Sequence, residues 1–304
     1  MRKIIFPITN RVHLPRQRLL IDELHGHRIE VLTPQFPTGV GDMATRAAAC
    51  AAVANQSIGT CDLVLIRGDR FEMLPFAMTA AYRGIKVAHI EAGDLSGAVD
   101  NKVRHAIAQL SDYWFPTNEP ALARLHAMGL PPERIWNFGS LDVEAAAAYE
   151  PKKALTKPYI VFAFHPVEGE SEQEVLDWVR PEIGELDLDF VHIRSNGDYA
   201  QPQDGSEEFT GGEYLSLIAN AALLVGNSSS FLKEASVYGT PVVNIGRRQQ
   251  DRLKPKHVVD ARGRLQVQTA LHYQLQHGRY DLQSPYYQKG TAAKIADKIK
   301  EILS

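Results

Sequence analysis

The sequence of 304 residues has little of what marks secreted, membrane-anchored or metal-binding proteins. Its only cysteines, Cys50 and Cys61, have neither metal-site nor disulfide-framework spacing, so we interpret both as reduced packing residues. No apolar run approaches the roughly 18 residues of a membrane span, and the run at 4–8 is too short for a signal peptide. These absences predict a cytoplasmic protein without a membrane partner.

An excess of one charge is also missing. The chain has 33 lysines and arginines against 36 aspartates and glutamates, a net charge of -3. It therefore has no global attraction for nucleic acid or anionic lipid. The sequence also contains no Gly-x-Gly-x-x-Gly, Walker, His-Glu-x-x-His or Cys-x-x-Cys motif, so we expect no dinucleotide, no other cofactor and no metal ion.

Short β-branched runs alternate along the first half with segments of helical period, as in parallel sheets covered by helices. Strands are predicted at 3–8, 28–32, 62–66, 86–90, 113–116 and 134–138. Helices are predicted at 16–24, 43–58, 73–82, 102–111 and 121–128. This half is predicted to be a doubly wound α/β domain.

A charged stretch at 150–158, bracketed by prolines, has the composition of a linker between domains at 1–152 and 158–288. The alternation restarts after it. Strands are predicted at 159–164, 188–193, 222–225 and 242–245, and helices at 173–179, 214–219, 230–238 and 291–303. The predicted fold is α/β, with two Rossmann-like domains whose parallel sheets face an interdomain cleft that would hold a shared ligand.

Acidic residues follow two predicted strands of the first half. Asp69, beside Gly68, is a candidate catalytic group, with capping of the next helix as its alternative role. Glu91, Asp94 and Asp100 fall within ten residues on the loop after the next strand. Clustered carboxylates repel one another, which raises at least one pKa and supplies an acid and a base in one pocket.

The helix predicted after this loop gives Asp100 an alternative role, because a carboxylate at a helix N-terminus can cap it. Arg104 and His105 lie in the first turn, where the helix dipole disfavours cations. We therefore expect a nearby anion or the loop carboxylates to compensate them.

Two strand ends of the second half carry polar residues. His165 follows a strand directly and is a functional candidate at the predicted cleft. The triplet Ser228, Ser229 and Ser230 precedes a predicted helix, whose backbone N–H groups would cradle an anion such as a diphosphate. A serine N-cap is the alternative.

Two further residues complete this candidate anion site. Glu234 lies one turn inside the helix, within reach of a ribose diol or, alternatively, on an ordinary helix surface. The loop after the next strand concentrates five cations, among them Arg247, which fits a phosphate. A solvated basic loop and nucleic-acid contact are the alternatives.

The motifs occur in the order seen in UDP-N-acetylglucosamine 2-epimerases, and the whole chain resembles a compact member of the hydrolysing branch that opens sialic-acid-type biosynthesis. They are Gly68-Asp69-Arg70-Phe71-Glu72, residues 89–105, His165-Pro166-Val167, residues 226–230, Glu234-Ala235, residues 239–246, Arg247-Arg248-Gln249 and Arg252-Leu253. The resemblance implies a GT-B architecture in which a final helix at 289–304 packs back on the N-terminal domain. It also implies elimination of UDP across C1 and C2 to give a glycal, then addition of water with inversion at C2.

Site residues are carried over from the matching motifs. Near the diphosphate the resemblance places Arg11, His165, Ser228, Ser229, Ser230 and Arg247, with Glu234 on the ribose and Asn196 in the Asn-x-Asp turn. Asp94 or Asp100 would act as base or acid at C2 of the sugar. Asp69 and Glu91 would position the sugar and tune those groups.

The chain also departs from the hydrolysing pattern. Ala92-Gly93-Asp94 replaces the usual Gly-Gly-Glu, and Glu91 resembles the non-hydrolysing His-x-Glu-Ala-Gly form. Asn101 stands where a second acid is common, and Arg247 where Asp is frequent. Both halves are also shorter than usual, so a wider cleft could admit an acceptor larger than water.

Three functions follow. The leading hypothesis is a hydrolysing UDP-sugar 2-epimerase, a homodimer whose partner is the UDP-sugar. The second is a GT-B glycosyltransferase with a glycan or modified DNA base as acceptor, the only case that involves nucleic acid. The third is a non-catalytic nucleotide-sugar sensor.

Overall fold

The computed structural model describes residues 2–7, 13–25, 29–32, 43–97, 100–167, 169–184, 186–193 and 211–304. The chain folds into two compact units. The first comprises Met1–Leu95, Val99–Glu144 and Gln288–Ser304, and the second comprises Ser96–Ala98 and Ala145–Tyr287. Each unit contains one five-stranded parallel sheet.

The first sheet consists of β1 (Arg2–Ile5), β2 (Ile29–Leu32), β3 (Leu63–Arg67), β4 (Lys86–Ile90) and β5 (Tyr113–Phe115), in the order β2-β1-β3-β4-β5. Register pairs Arg67 with Ile90, so β3 and β4 end level with each other. The prediction of a strand at 134–138 was wrong. This segment pairs with β5 only through a single bridge between Ile135 and Trp114, because a 3-10 helix at Pro132–Arg134 immediately precedes Ile135.

Helices α1 (His13–Leu24), α2 (Met43–Ser57), α3 (Leu74–Tyr82), α4 (Asp100–Gln109), α5 (Glu119–Ala127) and α6 (Leu141–Ala148) accompany this sheet. Both sheet faces are covered, as the apolar run of β3 requires. Leu63 and Leu65 join one hydrophobic cluster, while Val64 and Ile66 join another on the opposite face. Each such fully buried side chain stabilises the fold by about 1.5–3 kcal/mol.

The second sheet consists of β6 (Tyr159–Ala163), β7 (Asp189–His192), β8 (Leu223–Gly226), β9 (Val242–Ile245) and β10 (Val258–Ala261), in the order β10-β9-β8-β6-β7. Its helices are α7 (Glu172–Gly184), α8 (Gly211–Asn220), α9 (Ser229–Leu232) and α10 (Arg264–His277). Ile160 and Phe162 face one core cluster and Tyr159 and Val161 the other. Strand β10 and helix α10 were not predicted from the sequence.

One residue of the stretch predicted as a linker, Lys152, is bonded through its main chain to α8 of the second unit. Ser216 Oγ accepts a hydrogen bond from the Lys152 N–H at 3.1 Å, and the Asn220 amide donates to Lys152 O at 2.9 Å. The two compact units divide after Glu144, within α6.

The last helix, α11 (Thr291–Leu303), belongs to the first unit and contacts α1. Its apolar stripe includes Ile295 and Ile299, both buried in the cluster of β1 and β3. Gly290 offers no side chain to cap it. Instead the Glu144 carboxylate accepts the N–H groups of Thr291 at 2.9 Å and Ala292 at 2.8 Å.

Across the described ranges, no helix is both long and apolar enough to cross a membrane. Cys50 is buried and Cys61 half-buried, and neither forms a disulfide. This agrees with their interpretation as packing residues.

Candidate active site

The strand order of each sheet reverses direction at one point, and this point indicates where a ligand would bind. Strand order reverses between β1 and β3 in the first unit and between β6 and β8 in the second. Ligands of open α/β sheets bind at the carboxyl ends of the strands at such a switch point. Two predicted site residues, Arg11 and Asn196, lie outside the described residues.

At the end of β3, Arg67 joins two acids. Its Nε and Nη2 donate to Glu91 Oε1 at 3.0 and 2.9 Å, and Nη2 also pairs with the Asp142 carboxylate. The arginine side chain is only 7% exposed. Glu91 has a φ of 63°, a left-handed conformation that is strained for a residue with a side chain. Such strain is typical of sites where a side chain must point in one direction.

A second buried arginine holds Asp69. The Arg104 guanidinium pairs with the Asp69 carboxylate and also donates to Asp94 O at 2.9 Å and Asn101 Oδ1 at 3.1 Å. This is the anion expected beside Arg104, although α4 begins at Asp100, so Arg104 is its fifth residue and not part of the first turn. Asp69 is not a helix cap, since Arg70 occupies the N-cap of the 3-10 helix that follows.

The carboxylates of this loop are therefore not simply clustered with one another. Arg67 pairs with Glu91, and Arg104 pairs with Asp69 and binds the main chain at Asp94. The prediction of mutual repulsion did not include these two arginines. Asp94 is buried, and Asp100 is the first, half-buried residue of α4.

His89, in β4, is fully buried close to the loop that carries Asp69. Its Nε2 lies 2.8 Å from Gly68 O, the residue before Asp69. Burial lowers the pKa of His89 to about 4, so the ring is neutral and donates from Nε2. Burial and the charge of Arg104 also lower the pKa of His105.

In the second unit, His165 and Asn227 meet across the switch point. Asn227 Oδ1 accepts the His165 N–H at 2.7 Å, and Asn227 Nδ2 donates to His165 O at 3.0 Å. Gly226, with φ 133°, approaches Ala163 O so closely that a Cβ would collide with it. Only glycine fits there.

The serine triplet begins a shorter helix than expected. One helix was predicted at 230–238, but α9 has four residues and is followed by a 3-10 helix at Glu234–Val237. Ser228 is the N-cap residue, yet its hydroxyl lies 2.9 Å from Ser230 Oγ and makes no capping bond. Tyr214 also contacts the Ser230 hydroxyl. The result is a chain of three hydroxyl groups rather than a serine cap.

Glu234 is the first residue of the 3-10 helix and is 2% exposed, so it is not an ordinary helix-surface residue. In the basic loop, Arg247 donates its backbone N–H to Glu170 Oε1 at 2.7 Å, while its side chain is 56% exposed. The neighbouring Arg248 and Gln249 instead turn inward and each donate to Asn227 O at 2.9 Å.

Sequence reasoning missed the residues that organise these sites: Arg67, Arg104 as the partner of Asp69, Asp142, Asn227 and Arg248. Arg67 gave a signal, since a charged residue that ends a buried strand needs an anion. The partner Asp142 gave none, because it lies 75 positions away. No cluster of three or more possible metal ligands occurs among the described residues.

Comparisons with known proteins agree with the motifs. The profile of the UDP-N-acetylglucosamine 2-epimerase family matches residues 37–197 and 206–300. The UDP-N-acetylglucosamine 2-epimerase of Neisseria meningitidis is 32% identical over 65% of this chain and 59% of its own length. A hydrolysing UDP-N,N'-diacetylbacillosamine 2-epimerase of Legionella pneumophila is 28% identical over 79% of this chain and 74% of its own.

Among solved structures, UDP-GlcNAc 2-epimerase of Methanocaldococcus jannaschii, in complex with UDP-GlcNAc and UDP, superposes with a TM-score of 0.84. It is 15% identical, and the match covers 98% of this chain and 99% of that one. This likeness confirms the predicted α/β fold of GT-B type. The chain belongs to the UDP-N-acetylglucosamine 2-epimerase family.

Proposed function

We propose that this protein is a hydrolysing UDP-sugar 2-epimerase that converts UDP-N-acetylglucosamine and water to UDP and an N-acetylmannosamine-type sugar. A base removes the proton at C2, the C1–O bond breaks, and UDP leaves with the bonding electron pair. Water then adds at C1 of the resulting glycal, and an acid returns a proton to C2 on the opposite face. One water is consumed and no redox change occurs.

The observation that carries the proposal is the pair of acids at the level ends of β3 and β4, in a chain of this family. Arg104 and Arg67 hold Asp69 and Glu91, which suits groups that orient a sugar rather than exchange protons. Proton exchange at C2 is assigned to Asp94 and Asp100, one as base and the other as acid.

The second unit supplies groups suited to the leaving diphosphate. His165 lies at the switch point, and Ser228, Ser229 and Ser230 offer hydroxyl and backbone donors. Donors that strengthen their bonds as negative charge develops lower the barrier most. Arg247, with its largely exposed side chain, is assigned to the same anion, Glu234 to the ribose, and Arg11 and Asn196 to the nucleotide by their motifs.

The sugar is assigned to the 2-acetamido class. The Neisseria and Legionella relatives are named for two such sugars, N-acetylglucosamine and N,N'-diacetylbacillosamine. A relative from Escherichia coli is named a polysialic acid biosynthesis protein. We therefore place the reaction in the supply of a precursor for a sialic-acid-type sugar.

Three further features belong to this proposal. The chemistry is acid–base throughout, so we expect activity without an added metal ion or cofactor. We expect cytoplasmic location, in keeping with the two cysteines that form no disulfide. We also expect a homodimer, the commonest oligomer among soluble proteins. Light scattering after size exclusion tests the dimer.

The function is tested by incubating the purified protein with UDP-N-acetylglucosamine in metal-free buffer and following UDP and free sugar by NMR. The proposal predicts equal amounts of UDP and N-acetylmannosamine without any acceptor. UDP release only after a glycan or modified DNA is added would select the transferase. Tight UDP binding with no turnover of this sugar or of UDP-N,N'-diacetylbacillosamine would select the sensor.

A further inference from the structure

Asn227 is a buried residue at the carboxyl end of β8, the strand that borders the switch point of the second unit. We propose that Asn227 is a positioning residue that fixes His165 and Arg248 relative to each other at the leaving-group end of the site. This inference rests on the proposed function, because it names the groups that this function uses on the diphosphate.

The Asn227 side chain is bonded to His165 through both of its polar atoms. Asn227 is 0% exposed, and both polar atoms of its amide bind the main chain of one residue, His165, at 2.7 and 3.0 Å. One atom accepts an N–H and the other donates to a carbonyl. Only a group with a donor and an acceptor side by side can do both, and glutamine is one methylene too long. A carboxylate would face the His165 carbonyl oxygen without a proton to donate.

The main chain of Asn227 is also fixed by hydrogen bonds. Asn227 O accepts from Arg248 Nη1 and Gln249 Nε2, each at 2.9 Å, and the Asn227 N–H donates to Ala163 O at 3.0 Å. One residue therefore connects the loops after β6, β8 and β9. A buried amide that is bonded through both of its polar atoms permits little rotation.

The neighbouring residue, Gly226, lies against the main chain of β6. Gly226 packs directly on Ala163 O. This close contact brings β8 near enough to β6 for the Asn227 amide to reach both the N–H and the carbonyl oxygen of His165. A shift of Asn227 would move His165 and Arg248 together. A displacement of about 1 Å at a reacting group can cost about 100-fold in rate.

The experiment compares Asn227→Asp with Asn220→Asp, its matched control. Asn220 also donates its amide to main-chain oxygens, of Lys152 at 2.9 Å and Ser216 at 2.8 Å, but it precedes β8 and so lies at the other end of that strand. For Asn227→Asp we expect kcat to fall about 100-fold, with KM changed less than about threefold. Asn220→Asp should keep wild-type kcat.

A double-mutant cycle separates positioning from general damage. If Asn227 acts through His165, the double variant Asn227→Asp with His165→Ala should lose clearly less than the product of the two single losses. If the loss of kcat in the double variant equals the product of the two single losses, the proposal is overturned. A folded Asn227→Asp variant with wild-type kcat would also overturn it. Should that variant not fold, Gln249→Leu, which removes one donor to Asn227 O, replaces it in the cycle with an expected loss of about tenfold.

Failure of the proposed function is visible separately. If the wild type binds UDP by calorimetry but turns over no UDP-sugar, that function is wrong, and UDP affinity becomes the measure of the positioning role. Asn227→Asp should then weaken UDP binding about tenfold relative to Asn220→Asp, since it moves charged donors. Equal affinities in the two variants would overturn the positioning role.

Discussion

Arg67 donates two hydrogen bonds to a single oxygen of Glu91, at 3.0 and 2.9 Å, and the same guanidinium pairs with Asp142. The three side chains come from the ends of β3 and β4 and the start of α6. Glu91 holds its left-handed backbone in this arrangement. A strained residue persists only where its surroundings over-determine it, and Arg67 is one such constraint.

Replacing Arg67 with methionine should destabilise the first unit strongly. The change leaves two mostly buried carboxylates, Glu91 and Asp142, without this cation, a loss of about 3–5 kcal/mol. Arg67→Lys should recover part of the stability but not the pair of hydrogen bonds that the guanidinium donates to one oxygen of Glu91. Urea titration of the free energy of unfolding measures both.

Arg2→Met is the matched control. Arg2 also pairs with an aspartate, Asp62, at 2.8 Å, but its side chain is 53% exposed. Such a surface pair should contribute less than about 1 kcal/mol. If Arg67→Met and Arg2→Met lower the free energy of unfolding equally, burial of the Arg67 ion pairs adds nothing to stability.

The two acids assigned to proton exchange give a second prediction. Asp94→Asn and Asp100→Asn should each bind UDP as the wild type does, while at least one lowers kcat by about 100-fold or more. An amide keeps the shape of the acid but cannot take up or deliver the proton. Full turnover in both variants would contradict the assignment of roles.

Gly226 gives a third prediction. Gly226→Ala places a Cβ against Ala163 O at a φ of 133°, so we expect a loss above about 3 kcal/mol and weaker UDP binding. Gly84→Ala provides the comparison, since Gly84 has φ 67° but nothing within 4 Å of its Cβ position. It should cost about 1–2 kcal/mol. Thermal unfolding of the two variants side by side distinguishes collision from backbone strain alone.

Two buried histidines predict the pH dependence of stability. Burial lowers the pKa of His257 from 6.5 to about 4, and His89 behaves likewise. Between these pH values the unfolded chain binds more protons than the folded one, so the free energy of unfolding falls as pH drops from 6.5 to 4. Each histidine contributes on the order of 3 kcal/mol to this loss.

His257→Gln tests this dependence, because glutamine can still donate to Phe231 O, which lies 3.0 Å from His257 Nε2. Its stability should fall less steeply below pH 6.5 than that of the wild type. His126→Gln, at an exposed position of α5, should keep the wild-type slope. If the free energy of unfolding changes equally steeply with pH in all three proteins, His257 does not contribute to the pH dependence.

The cap of the last helix gives a fifth prediction. Glu144 supplies both oxygens to the N-terminus of α11, so Glu144→Ala should cost about 1–2 kcal/mol. Glu144→Gln keeps one acceptor and should cost less. Hydrogen exchange should rise at Thr291 and Ala292 in Glu144→Ala, and unchanged protection there would exclude the capping role.

The sequence predicted the apolar strands well, because the runs that form β3, β6 and β9 are dominated by aliphatic and aromatic residues. It missed β10 and α10. Strand β10 (Val258–Ala261) contains an aspartate and follows a lysine-rich loop, and α10 has polar residues throughout, so neither carries a clean hydrophobic period.

The candidate site was predicted only as far as local spacing allows. Asp69 and His165 follow strands, and the parallel pattern alone sends them to one edge of their sheets. Their partners could not be predicted. Arg104 reaches Asp69 across 35 positions and Asn227 reaches His165 across 62, and pairing at such distances depends on the fold itself. The predicted repulsion among the acids took no account of Arg67 and Arg104 and stays a prediction.

The most direct test of the account is the reaction of UDP-N-acetylglucosamine in D₂O, with the released sugar analysed by NMR. If UDP is eliminated and the glycal is hydrated, the C2 proton is lost to the base and replaced from solvent. The product should be free N-acetylmannosamine that carries deuterium at C2, with one UDP per sugar. A released sugar that keeps hydrogen at C2, or keeps the gluco configuration, would contradict the account.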